Sequence, residues 1–137
     1  MKTLKLKNSQ LDILGKILDG DLPFSRSRKR KLFLDILIQK VTIFESARMA
    51  LIQKFGKKDN EGKLINIDNQ FTIENISEFN KEFFLLLNEE VIIDILPSLE
   101  ESLKVIKELV NNTDIKVNNH EVILIEEIIK SFDDISK

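Results

Sequence analysis

Cysteine, tryptophan and tyrosine are absent from the sequence. Without thiols there is no disulfide framework, cysteine zinc ribbon, thiol nucleophile or redox switch, and the chain suits a reducing compartment. Glycine and proline are scarce, at four and two residues. Gly15, Gly20, Gly56 and Gly62 are scattered without Gly-x-Gly or Walker spacing, so no phosphate-cradling loop is expected. Histidine occurs once. His120 has neither a second histidine nor a His-Glu-x-x-His pattern beside it, and it reads as an exposed residue near the start of the last helix. No metal, no cofactor and no catalytic residue are expected, and the chain reads as a non-enzyme.

Long uninterrupted apolar runs are missing too. The densest stretch, residues 32–55, is broken by Asp35, Lys40, Glu45 and Arg48, which are costly in hydrocarbon. The opening MKTLKLKNSQ develops no apolar core of the length a secretory signal needs. What is present is a globular balance: 42% hydrophobic and 32% charged residues in 137, enough for a single domain spanning residues 1–137 with its own core. The net charge of −2 speaks against a general nucleic-acid binder, so any basic function has to be local.

The periodicity predicts a mostly helical α+β domain with a long central helix and a small antiparallel hairpin or sheet. Residues 3–7 alternate as a short strand, and Asn8 stands where an N-cap would open a helix carrying Leu11, Leu14 and Leu18, with Gly20 as its stop. After the connector DGDLPFS, with Ser25 or Ser27 as cap, the main helix is expected over residues 28–55. Its stripe is Phe33, Leu37, Val41, Phe44, Leu51 and Phe55; a second apolar set, Leu34, Ile36, Ile38 and Ile43, lies largely off it. Either the helix runs through the middle of the domain or part of it is an oligomer interface.

KLINI and QFTI read as two strands around an Asp68-Asn69 turn. A helix with Ile76, Phe79, Phe83 and Leu87 on one face follows, and then a strand, EVIIDIL, whose partner is open between the hairpin and the N-terminal strand. Residues 98–137 read as a helical pair. Capping boxes are expected at Ser98/Glu101 and Asn118/Glu121, with Leu99, Leu103, Ile106 and Val110 inward on the first helix and Val122, Ile125, Ile129 and Phe132 on the second.

The feature most in need of explanation is the run SRSRKRK, which places Arg26, Arg28, Lys29, Arg30 and Lys31 within six residues. Cations at a helix start oppose the macrodipole, so something besides helix stability is expected to account for them. Three readings stand: a solvated face, an acidic protein partner, or nucleic-acid phosphate, the last being the least supported because no aromatics are interleaved with the charge. The cluster is the candidate binding patch. Glu45 and Arg48, three apart, are expected to form an intrahelical ion pair. The carboxylates Glu89, Glu90 and Asp94 fit no motif and read as solvated edge charge.

The segments LKLKNSQL, LPFSRSRK, FESARMALIQKFGKKDNEGKL and FNKEFFLLLNEEVIIDI, spread over residues 4–95, resemble a family of short proteins of unknown function from tailed phages and prophages of Gram-positive bacteria. The resemblance implies origin more than mechanism and brings no catalytic residues with it. It implies a non-enzymatic phage or prophage protein in the host bacterial cytoplasm that binds a phage or host protein, as a virion assembly accessory or a host modulator. The alternative is a small inhibitor of bacterial antiviral defence, or a nucleic-acid-directed regulator using the basic patch. A homo-oligomer is left open.

Overall fold

The computed structural model describes residues 2–135. Its first element, β1 (Lys2–Lys7), buries Leu4 and Leu6 and turns Lys5 and Lys7 outward, as the alternation requires. It pairs antiparallel with β4 (Glu90–Ile95), Leu4 opposite Ile93 and Leu6 opposite Val91. The partner left open by the sequence is therefore the N-terminal strand, and the hairpin forms a separate sheet.

Between these strands lie α1 (Leu11–Ile17), α2 (Phe24–Phe55), the two-residue strands β2 (Asn66–Ile67) and β3 (Gln70–Phe71), and α3 (Ile76–Leu87); α4 (Glu100–Asn111) and α5 (Asn119–Ile135) follow. The fold is α+β, with α2 as its long helix. Asp68 and Asn69 take φ of 53° and 63°, the left-handed pair that a tight two-residue hairpin turn demands and that these residue types tolerate.

The core gathers the inner faces of β1 and β4, Leu11 and Leu14 of α1, Phe33 and Leu37 of α2, Ile106 and Val110 of α4, and Ile128 and Phe132 of α5. Phe33 and Phe132 meet at its centre with ring centroids 6.3 Å apart. Thirty-two residues make α2 roughly 48 Å long, and only its first half carries side chains fully buried in this core. The second half forms an arm with α3, held by Phe44 against Phe83 at 6.4 Å and Phe55 edge-on to Phe79 at 6.2 Å. Gly56 ends α2 where a Cβ would lie 2.5 Å from both the Ile52 carbonyl oxygen and the Leu64 side chain, so the crossing of chain segments there requires glycine.

Several local expectations are corrected by long-range contacts. Asn8 does not cap α1: residues 8–10 form a 3-10 turn, and the buried Asn8 amide donates to the Leu86 carbonyl at the end of α3, at 2.9 Å. Its backbone N–H donates to Glu89, so Asn8 satisfies groups of a distant helix end instead of its own. α2 begins at Phe24 rather than residue 28, with Pro23 as N-cap, and neither Ser25 nor Ser27 caps it. Ser98 and Glu101 form no capping box, because the turn at Pro97–Leu99 feeds α4 directly. Asn118 and Glu121 do form one, each side chain accepting from the other's backbone N–H at 2.8 and 3.1 Å. Val122 is exposed rather than inward, and Ile128 and Ile135 complete the buried face of α5. Of the second apolar set on α2, Leu34 and Ile36 are partly buried, whereas Ile38 and Ile43 are exposed.

Candidate functional site

The basic cluster occupies the first two turns of α2, where Pro23 starts the helix without a carboxylate in its first turn. Most of its charge is engaged within the chain. Arg26 pairs with Glu108 and Lys29 with Glu101, both on α4, while Lys31 pairs with Asp35 one turn on. Arg30 turns the other way, its Nη1 donating to the carbonyl oxygens of Leu18 and Gly20 at 2.9 and 2.8 Å, just past α1. These carbonyls lack helical partners, and a guanidinium at a helix C-terminus also meets the negative end of the dipole. Gly20, at φ of 120°, lets the chain turn so that both carbonyls converge on one side chain. Arg28 alone among the five has no partner among the described residues. The cations therefore form a seam that ties the start of α2 to α1 and α4, a tertiary role distinct from a solvated face, an acidic partner or nucleic-acid phosphate.

Two apolar surfaces lie elsewhere. α1 and α2 diverge to leave a groove of about 500 Å³, floored by Leu11, Gly15, Leu34, Leu37, Val41 and Phe44, with Ile38 at its lip. On the arm, α3 exposes the consecutive residues Phe84 and Leu85, 65% and 61% accessible, and Leu85 borders a shallow recess with Ala47, Leu51, Glu82 and Glu89. Glu82 pairs with Lys54 of α2 at 3.0 Å. The signal for both surfaces was in the sequence as apolar residues off the main stripes, but which of them stay uncovered depends on how the helices diverge.

The remaining sequence candidates do not converge. His120 is exposed in the first turn of α5. Glu89, Glu90 and Asp94 are exposed, the last two on the outer face of β4. Among the described residues no three His, Asp or Glu side chains stand close enough to hold a metal ion. No helix among them is long and apolar enough to cross a membrane. Glu45 and Arg48 form the expected intrahelical pair, at 2.9 Å.

No protein-family model, curated protein or solved structure matches the chain.

Proposed function

We propose that the protein is a non-enzymatic binding protein that engages another protein through its arm, in the role of a phage or prophage virion assembly accessory or host modulator. The observation that carries this reading is the adjacent exposure of Phe84 and Leu85 on α3. Single exposed apolar residues are ordinary, but Leu85 on the edge of a recess, with Phe84 about 100° round the helix widening the apolar surface, makes the kind of patch that partner proteins cover. Glu89 on the rim of that recess favours a partner whose apolar anchor is flanked by a cation. The nucleic-acid alternative draws less support, since four of the five clustered cations already have partners within the chain.

The test is affinity purification of the tagged protein from an induced, nuclease-treated lysate, with Phe84→Asp/Leu85→Asp as the comparison. A protein recovered with the native chain and lost from the variant supports the reading, and virion components would assign it to assembly. Equal recovery from both, or no specific protein, sinks it.

A further inference from the structure

We propose that the groove between α1 and α2 is filled by the same surface of a second copy, giving a twofold dimer whose α2 helices run antiparallel about Ile38. A twofold interface must be self-complementary, with projection and recess on one patch. This patch has both: Ile38 projects 60% exposed at the lip of the groove it lines. Gly15, in the middle of α1, lines the recess. A Cβ there would meet nothing within 4 Å, so no neighbour in the chain calls for a residue that weakens the helix relative to alanine. A side chain arriving from outside uses that space.

The charges agree with the geometry. In an antiparallel pair centred on Ile38, residues seven before and seven after it face each other, so Lys31 stands opposite the partner's Glu45 and the contact occurs twice. Both groups are now satisfied only by exposed pairs within α2, to Asp35 and Arg48. Residues 24, 31, 38 and 45 repeat at the heptad interval, which keeps them on one side of the helix through a shallow left-handed crossing. Phe24, exposed, extends that side toward the N-terminus. The flanking elements leave it open: α4 holds Arg26 and Lys29, and α3 holds Lys54, all on other sides of α2.

Sedimentation and cross-linking test this directly, because the chain has no cysteine to interfere. The native chain is expected to sediment as a dimer at roughly 10 µM. Under mild oxidation Ile38→Cys closes an intermolecular disulfide, whereas Ile43→Cys, equally exposed but about 140° round the helix, does not. Lys31→Glu or Glu45→Lys alone weakens the dimer about tenfold by turning two ion pairs into repulsions, and the two together restore it. A monomeric native chain, equal cross-linking at both cysteines, or a double variant as weak as the singles overturns the proposal. None of these results touches the arm, whose reading stands or falls by its own purification.

Discussion

Replacing Arg30 by alanine, beside Arg28→Ala, separates a structural role for the basic cluster from a solvated one. Arg30 donates to a part-buried carbonyl at Leu18 and a more exposed one at Gly20. A charged hydrogen bond to the first is worth about 1.5 kcal/mol, and the second, which water can replace, about 0.5. The cation at the end of α1 adds about 0.5 kcal/mol through the helix dipole. Against these stands the Arg30 Nε, buried without a hydrogen-bond partner, which costs about 1 kcal/mol. The net loss expected on Arg30→Ala is therefore about 1.5 kcal/mol. With a urea m-value of about 1.5 kcal/mol/M, the midpoint falls by about 1 M. Arg28→Ala, which breaks no contact among the described residues, should move it by less than about 0.3 M. Urea titrations followed by circular dichroism at 222 nm read both. Equal midpoints for the two variants would refute the assignment of Arg30 as the clamp on the end of α1.

Further substitutions probe single features by the same titration. Ser102 is fully buried in α4 with no partner for its hydroxyl, so Ser102→Ala should stabilise by about 1 kcal/mol; a loss of stability would reveal a bond to that hydroxyl. Gly56→Ala should cost about 1–3 kcal/mol, because its Cβ would strike the Ile52 backbone, and an unchanged midpoint would show that this crossing can open. Asn118→Ala removes the cap of α5 and should cost about 1 kcal/mol, visible as a lower urea midpoint. Gly15→Ala, with open space around the new methyl within the single chain, should raise stability by up to about 1 kcal/mol when measured at a concentration low enough to keep the chain monomeric; an unchanged or lower midpoint there would refute it.

What could be read from the sequence was what neighbouring residues decide. Asp68-Asn69 specified its turn and Asn118/Glu121 its capping box, because the interacting groups lie within four residues of each other. The short β-branched run EVIIDIL marked the strand at residues 90–95, though not its partner, since either available edge would accept the same residues. Asn8 misled because its amide serves Leu86, 78 residues away, an acceptor no local rule can supply. The cation cluster was visible as charge, but its engagement depended on α4 bringing Glu101 and Glu108 to Lys29 and Arg26. The groove had two faint signs, a glycine inside α1 and an isoleucine off the stripe of α2. Neither becomes a recess until the angle between those helices is known.

The pairing of β1 with β4 also sets the order in which the molecule can be made. Lys2 and Ile95 are partners across more than ninety residues of chain, so the central sheet cannot close until most of the polypeptide has left the ribosome. The arm has a shorter wait, because α2, the hairpin and α3 follow one another directly and its ring contacts, Phe55 with Phe79 and Phe44 with Phe83, span far less chain than Lys2 to Ile95. Loop closure thus makes β1 a late arrival, with Leu4 and Leu6 uncovered in the interval. β1 is made well before the strand it pairs with, and the lysines alternating with its leucines, Lys5 and Lys7, disfavour pairing of that waiting segment with other chains.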